Sequence, residues 1–258
     1  MTTHNPLSSN PIRDYFENNR VPSPIVVGGL GGSGTRLVAG LLREMTVNMG
    51  EHVNISEDAM HFVELYSGFI APYLRDRSMP IPRFQERLLS AIQAHRLSMT
   101  DEAWGWKNPR SMHLLPILDQ CIPNLNYIHV IRHGFEMASS SNTNQLEQYQ
   151  THLLDAEQTA LPLELRALLF WEAANQSAAD YGLSHMGDRY CLLRFEDICT
   201  DAASAMQPIA ERLELPLPER WKEQIVMPRE RRKSMNPEWL ERLRTIGAAA
   251  LERFGYPC

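Results

Sequence analysis

The sequence lacks several features that would place it at once in a broad class of protein. It has no apolar run long enough to cross a membrane, and residues 1–20 are polar, without the apolar core of a secretory signal. Its four cysteines are not spaced like metal ligands, so we expect reduced thiols in a cytoplasmic protein. Acidic residues outnumber basic ones, and the net charge of −6 argues against a general nucleic-acid-binding protein.

What is present is a chain of 258 residues with 43% apolar residues, which is enough for one sizeable core. We predict a polar N-terminal segment over residues 1–20 and a single domain over residues 21–258. Predicted strands alternate with predicted helices along that domain. The strands are expected at residues 25–27, 104–108 (breaking at Pro109), 126–131 and 189–194, and the main helices at residues 112–120, 163–181, 203–213 and 237–254. This alternation is typical of an α/β fold with three layers and an open, mainly parallel sheet.

Two segments are expected to form the rest of the ligand-binding side of the domain. Residues 48–103 are irregular and then helical, which indicates a helical lid. Residues 142–160 form a long polar stretch, which we interpret as a flexible substrate loop. Neither segment carries a pattern that identifies a substrate. None of the nine histidines forms an i, i+4 pair with a plausible acidic partner on a helix, so no metal site is expected.

The most informative stretch follows the first predicted strand. Five of the seven residues from Gly28 to Gly34 are glycine, and a helical pattern begins near Leu37. Glycines let the backbone approach an anion closely, and the free N–H groups of a first helical turn point towards it. The order of strand, glycine loop and helix therefore predicts a site for a phosphate or sulfate group.

Two common nucleotide-binding motifs fit this loop only in part. As a Walker A motif it has glycines at the right spacing, but Thr35 and Arg36 stand where lysine and serine or threonine should follow. As a dinucleotide fingerprint it has glycines at positions 29, 31 and 34. That motif also expects a second buried strand, and residues 46–54 are too polar and broken for one.

Further short motifs lie near the ends of predicted strands, where open parallel sheets bind ligands. Together with the loop motif Ser33-Gly34-Thr35 they occur in this order: Lys107-x-Pro109, then Arg132 followed eight residues later by Ser140, then Arg194-Phe195-Glu196-Asp197, and finally Phe254-Gly255-Tyr256-Pro257. In this combination and order the chain resembles the sulfotransferases that use 3′-phosphoadenosine-5′-phosphosulfate (PAPS). The resemblance runs from about residue 24 to residue 256.

The resemblance implies binding roles for individual residues. The loop would hold the 5′-phosphosulfate through Gly31, Gly32, Ser33, Gly34, Thr35 and Arg36. Arg132 and Ser140 would hold the 3′-phosphate, since an arginine can grip two phosphate oxygens and a hydroxyl near a helix start adds a donor. The alternative is a surface arginine beside a serine on an outer helix face. Phe195 replaces the family's usual tyrosine and would stack near the adenine.

Arg231 and Arg232 belong to a basic run, residues 229–233, at the place of the family's late basic loop. In the family that loop touches the 3′-phosphate. The run lacks the glycines of that loop, so a solvated run of charges is an equal interpretation.

The catalytic residues are predicted partly from a departure from the family. Many members carry a lysine or arginine immediately before Ser-Gly-Thr, and here that position is Gly32. The positive charge would then come from Lys107, Arg36 or both. The general base would be Glu57 or Asp58. These two acids could equally mark an ordinary helix start after Ser56, with His52 and His61 as further candidates for the base.

These expectations describe a cytoplasmic, PAPS-dependent sulfotransferase that needs no metal and acts on a small-molecule or carbohydrate acceptor, with PAP (3′,5′-bisphosphoadenosine) as the product. No nucleic acid and no membrane span are expected. Two alternatives stay open at this point. One is a P-loop kinase-like enzyme with a degenerate Walker A motif. The other is a relative that binds nucleotide but has lost catalysis, which the glycine at position 32 would explain.

Overall fold

The fold is built on a short parallel sheet. A computed structural model describes residues 10–77, 79–99, 103–222, 225 and 236–258. Within them lie four strands, β1 (Ile25–Gly29), β2 (Gly105–Lys107), β3 (Asn126–Ile131) and β4 (Tyr190–Arg194). The strands run parallel in the order β2-β1-β3-β4. The predicted α/β class with an open parallel sheet is confirmed, and each predicted strand is present within a residue or two of its expected bounds.

Helices cover both faces of the sheet. They are α1 (Pro11–Asn18), α2 (Thr35–Glu44), α3 (Val63–Asp76), α4 (Ile81–Arg96), α5 (Leu115–Cys121), α6 (Gly134–Ala138), α7 (Asn144–Leu153), α8 (Ala156–Thr159), α9 (Leu163–Tyr181), α10 (Phe195–Thr200), α11 (Ala202–Leu213) and α12 (Pro237–Arg253). Side chains alternate across a strand, so β1 contributes to two cores. Ile25 and Val27 pack with residues of α2 and α11, whereas Val26 packs on the opposite face with the larger set of helices.

The segment 142–160 is helical over most of its length, so the prediction of a flexible loop is wrong there. It contains α7 and α8. The buried residues of α7 are Gln145, Leu146 and Tyr149. Tyr149 lies four positions after the first and three after the second, so the three residues share one face of the helix. One of these three is a glutamine and the surrounding residues are polar, so the helical period is weak in the sequence.

The helix predicted over residues 112–120 also starts differently. Residues Pro109–Leu114 form a 3-10 helix, and α5 follows it. The side chain of Asn108 caps this turn by accepting a hydrogen bond from the Arg110 N–H at 3.2 Å. Ser111, the expected cap, lies instead with its hydroxyl 3.0 Å from the Tyr127 hydroxyl in the core. The cap moves to Asn108 because Pro109 fixes the start of the helical turn directly after it.

Part of the polar N-terminal segment folds onto the rest of the chain. Helix α1 begins after Asn10, whose side chain accepts hydrogen bonds from the N–H groups of Ile12 and Arg13. Ile12 and Phe16 are fully or almost fully buried in the larger core. One turn apart on the same face, they anchor a helix whose other face is polar.

Candidate functional site

A cavity of about 510 Å³ lies at the edge where the parallel strands end. The chain segment after each of the four strands reaches it. Its lining consists of Gly31, Gly32, Gly34, Thr35, Arg36, Leu37, Asn54, Ser56, Asp58, Lys107, Pro109, Arg132, Asn142, Asn144 and Phe195. Ligands bind at this edge in open parallel sheets because the loops and helix starts that follow the strands converge there. The structure thus brings most of the predicted site residues together.

The glycine loop leads from β1 directly into α2. Gly32 and Gly34 have φ values of +96° and +103°, a region that favours glycine. No side chain caps the start of α2, so its first N–H groups face the loop without a capping partner. Ser33 is only 1% exposed, and its hydroxyl has no hydrogen-bond partner within the described residues. A buried hydroxyl without a partner is costly, and a bound anion at this loop would satisfy it.

The conformation of Gly32 gives a physical reason for the missing charge in the loop. A lysine or arginine at this position would have to adopt φ near +96°, which is strained for any residue with a Cβ. A Cβ placed at position 32 would otherwise meet the Ser140 hydroxyl at 3.5 Å and Met137 Cε at 3.8 Å, which are ordinary contacts. The backbone, and not the space around it, therefore disfavours a basic side chain here.

Replacing Gly34 with alanine is expected to distort the loop and weaken anion binding. A Cβ at this position would lie 2.2 Å from Cδ2 of the buried Phe195 ring, in addition to the positive φ. We expect a loss of roughly 1–3 kcal/mol in the free energy of unfolding, measured by urea denaturation, with a matching fall in PAP affinity. Gly68→Ala is the matched control, because a Cβ there meets nothing within 4 Å and Gly68 lies inside α3. Equal stability of the two variants would show that position 34 does not need a glycine.

Lys107, the last residue of β2, is 2% exposed and points into the cavity. Its Nζ donates a hydrogen bond to Asp58 Oδ1 at 2.6 Å and another to the Ser56 carbonyl. Burial lowers the pKa of the Lys107 ammonium, and the Asp58 carboxylate offsets part of that shift. Arg36 is exposed, lines the same cavity and lowers the pKa of Lys107 slightly further. Two cationic side chains therefore face one cavity.

Of the two acids proposed as general base, only Asp58 lines the cavity. The segment from Asn54 to Asp58 is a turn and not a helix start, so the alternative of an ordinary helix start is wrong. The Asn54 side chain holds the turn by accepting from the N–H groups of Ser56 and Asp58, and its amide donates to Asp58 Oδ2 at 3.1 Å. Glu57 has φ of +67° and pairs with Arg43, away from the cavity.

The two histidines considered as further candidates for the base lie elsewhere. The rings of His52 and His61 are 4.8 Å apart, and neither residue lines the cavity of the glycine loop. His61 faces a separate groove between α3 and α4. Among the described residues, no group of three or more histidine, cysteine, aspartate or glutamate side chains could hold a metal ion.

Arg132 follows β3 and lines the cavity beside the glycine loop. Its guanidinium lies over the Phe195 ring at 4.9 Å, and its Nη1 is 3.5 Å from the Gly32 carbonyl. Glu136 makes only a loose ionic contact with it, at 3.8 Å. Ser140 lies behind the loop, where its hydroxyl accepts from the Asn142 N–H at 3.2 Å, and it lines a small adjoining cavity. The structure thus separates Ser140 from the main cavity that Arg132 lines.

The motif at residues 194–197 makes hydrogen bonds to neighbouring segments at this edge of the sheet. The predicted turn at Glu196 and Asp197 is the first turn of α10. The Arg194 guanidinium bonds both oxygens of Asp197 at 2.8 Å. Glu196 accepts from the His133 N–H and from the Tyr256 hydroxyl, each at 3.0 Å. These contacts join the ends of β3 and β4 to the last residues of the chain and fix the position of Phe195 between them.

Sequence reasoning missed four polar residues that line the cavity: Asn54, Ser56, Asn142 and Asn144. They belong to two segments without a recognisable motif, and they reach the site only because the chain folds back over the glycine loop. The basic run at residues 229–233, with Arg231 and Arg232, lies outside the described residues. Among the described helices, none combines the length and the hydropathy that crossing a membrane requires.

The fold and the site together define an α/β protein with a glycine-rich loop and a cavity lined by cationic side chains at the carboxyl edge of its sheet. A family model for the sulfotransferase family matches residues 24–219, about three quarters of the chain. The protein therefore belongs to the sulfotransferase family. A comparison with curated protein sequences finds no match.

Solved structures of sulfotransferases share this fold at low sequence identity. Sulfotransferase STF9 from Mycobacterium avium is 16% identical with a TM-score of 0.54, over 95% of this chain and 82% of that one. A sulfotransferase from Alicyclobacillus acidocaldarius is 13% identical with a TM-score of 0.56, over 92% of this chain and 98% of the other. Sulfotransferase STF1 from Mycobacterium tuberculosis is 17% identical with a TM-score of 0.54, over 80% and 72%. At these identities the likeness concerns the fold.

Proposed function

We propose that the protein transfers a sulfuryl group from PAPS to a hydroxyl or amine of an acceptor. The observation that carries this proposal is that one cavity joins the glycine loop, Lys107, Asp58, Arg132 and Phe195. The loop can bind a doubly anionic group, and the buried lysine can stabilise charge at the reacting centre. The arginine over an aromatic ring can bind a phosphorylated nucleoside. None of these features alone is specific for a sulfotransferase. Their combination in one cavity supports that function.

The chain's own residues fit the two ends of the donor. At one end the Ser33 hydroxyl has no partner within the described residues and the start of α2 carries no side-chain cap, so both can serve a phosphosulfate. At the other end Arg132 has only a loose acidic contact, which leaves most of its N–H groups for a 3′-phosphate. Phe195 would give the adenine an apolar surface beside that arginine.

The proposed transfer is an in-line displacement at sulfur. A bond forms between the acceptor oxygen or nitrogen and sulfur while the bond from sulfur to the bridging phosphate oxygen breaks, and PAP leaves with that electron pair. Lys107, with Arg36 nearby, would stabilise the negative charge that develops on the bridging oxygen. Asp58 would take the proton that the acceptor loses. Asp58 and Lys107 lie 2.6 Å apart, so they can act at neighbouring positions of one reaction.

Titration calorimetry in EDTA tests the donor assignment. We expect micromolar binding of PAP without magnesium and much weaker binding of ATP. The reason is that the Walker lysine position holds Thr35, while Arg132 offers charge for a 3′-phosphate that ATP lacks. Binding of ATP that requires magnesium and exceeds that of PAP would support the kinase-like alternative instead. Binding of PAP without any transfer from PAPS to a broad set of acceptors would support the inactive relative.

A further inference from the structure

A second cavity of about 230 Å³ adjoins the proposed donor cavity. The two cavities share the lining residues Gly31, Asp58, Pro109, Asn142 and Asn144. Asp58, the proposed base, therefore stands at their junction. An acceptor must present its reacting atom to the base and to the donor at the same time. The second cavity meets this requirement, so its chemistry bears on which acceptor fits.

Most of the side chains that line this second cavity are polar. Besides the shared residues it contains Asn108, Arg110, Gln145 and Gln148, and no aromatic or branched apolar side chain of the described residues lines it. Two of the amides already have partners. Gln145 lies 2.9 Å from a His113 ring nitrogen, and Asn108 accepts from the Arg110 N–H. These side chains offer hydrogen bonds to hydroxyl groups of a ligand.

Three further amides of this cavity are solvent-exposed. The side chains of Asn142, Asn144 and Gln148 have no hydrogen-bond partner in the part of the chain that the structure describes. Each amide has both a donor and an acceptor end, which matches a hydroxyl group that can donate and accept. Several adjacent hydroxyls on one ligand would use this arrangement better than a single one.

Arg110 adds a positive charge to the same cavity. It is half-buried and is held by a hydrogen bond from its Nη1 to the Ser67 hydroxyl at 2.9 Å. Within the described residues no acidic side chain forms an ion pair with it. A second side-chain hydrogen bond joins the Arg110 guanidinium to the Tyr149 hydroxyl. The N–H groups that remain are suited to a carboxylate or another anionic oxygen group.

We infer that the acceptor is a polyhydroxylated molecule that carries an anionic group, such as an acidic sugar, and that Arg110 binds this group. This inference rests on the proposed function and narrows its acceptor. The amides of Asn142, Asn144 and Gln148 would orient the hydroxyls, and Asp58 would receive the proton from the one that is sulfated. A phenol or a long-chain alcohol would leave the arginine and the amides without partners.

A matched acceptor panel with labelled PAPS tests the inference. Methyl glucuronide and methyl glucoside differ at one carbon, which bears a carboxylate in the first and a hydroxymethyl group in the second. We expect kcat/KM for the glucuronide to be roughly 10- to 100-fold higher, as one charge-assisted contact would give. We expect both sugars to exceed a simple phenol and 1-octanol. Glucose 6-phosphate, measured in parallel, shows whether a phosphate serves as well as a carboxylate.

The variant Arg110→Gln should bring the ratio of the two sugars close to one. A general loss of folding would lower both rates and leave their ratio unchanged, so the ratio reports the charge contact. Arg83→Gln is the control, because Arg83 is an exposed arginine that lines only the separate groove between α3 and α4. In Arg83→Gln the ratio of kcat/KM for the two sugars should equal that of the wild type.

Preference for phenol or octanol would overturn the inference, and so would equal rates for the two sugars in the wild type. PAP binding without transfer to any sugar would also overturn it, while leaving the donor assignment in place. Failure of PAP to bind in calorimetry would instead remove the proposed function, and the inference with it.

Discussion

Lys107→Ala is expected to lower kcat for sulfuryl transfer by about 10²- to 10³-fold, the usual cost of removing one donor that stabilises developing charge. The reason is the position of Lys107. It is 2% exposed at the end of β2, and its ammonium faces the cavity beside Asp58. PAP affinity should fall less than kcat, because the glycine loop and Arg132 remain. Rapid-quench assays with labelled PAPS measure the first quantity, and calorimetry measures the second.

Two further variants make the Lys107 result interpretable. Lys107→Met keeps most of the side-chain volume and removes the charge, so it should show the same loss if charge is what matters. Lys222→Ala is the control, because Lys222 is exposed and does not line the cavity. Thermal denaturation checks that each variant is folded. Wild-type activity in either Lys107 variant would show that Lys107 does not contribute to sulfuryl transfer.

Arg132→Ala is expected to weaken PAP binding by roughly 10- to 100-fold and adenosine 5′-monophosphate binding only slightly. The factor corresponds to the loss of charge-assisted hydrogen bonds of about 1.5–3 kcal/mol to the 3′-phosphate, which the monophosphate lacks. Calorimetry with both nucleotides measures it. The comparison is needed because Arg132 also contacts Phe195 and the Gly32 carbonyl, and a disturbed loop would weaken both nucleotides.

A conservative variant separates charge from geometry at this position. Arg132→Lys keeps the charge but loses the planar fork, so it should recover part of the affinity and not all of it. Arg83→Ala, on the exposed face of α4, should leave both affinities unchanged. Equal losses for PAP and the monophosphate in Arg132→Ala would mean that Arg132 does not bind the 3′-phosphate.

Ser140 and Arg132 belong to one sequence motif but line different cavities in the structure. The sequence places it eight residues after Arg132, and the resemblance assigns both to one phosphate. In the structure Arg132 lines the main cavity, whereas Ser140 lines a smaller one behind the glycine loop and accepts from the Asn142 N–H. Its role at the 3′-phosphate stays a prediction, and comparing Ser140→Ala with Arg132→Ala would test it.

The sequence by itself determined the sheet and the position of its binding edge. The strands β1 and β3 are almost entirely buried, and β4 is partly buried. Each is a short, mainly apolar run bounded by proline, glycine or charged residues, which makes it recognisable in the sequence. The glycine loop is readable for a similar local reason, since only a special backbone needs five glycines in seven residues. Because parallel strands end at one edge, the motifs that follow them had to meet.

Only the tertiary structure decided which side chains reach the cavity. Asp58 faces Lys107 across 49 positions of sequence, while its neighbour Glu57 is drawn away to Arg43. The turn that points Asp58 and Glu57 in different directions depends on the Asn54 side chain. A single asparagine creates no periodic pattern from which this turn could be recognised in the sequence. The helix α7 was missed for a related reason, because its buried face includes Gln145, which bonds His113 and the Gly29 carbonyl. Local patterns report backbone preference and burial, whereas pairings between distant polar groups form only when the chain has folded.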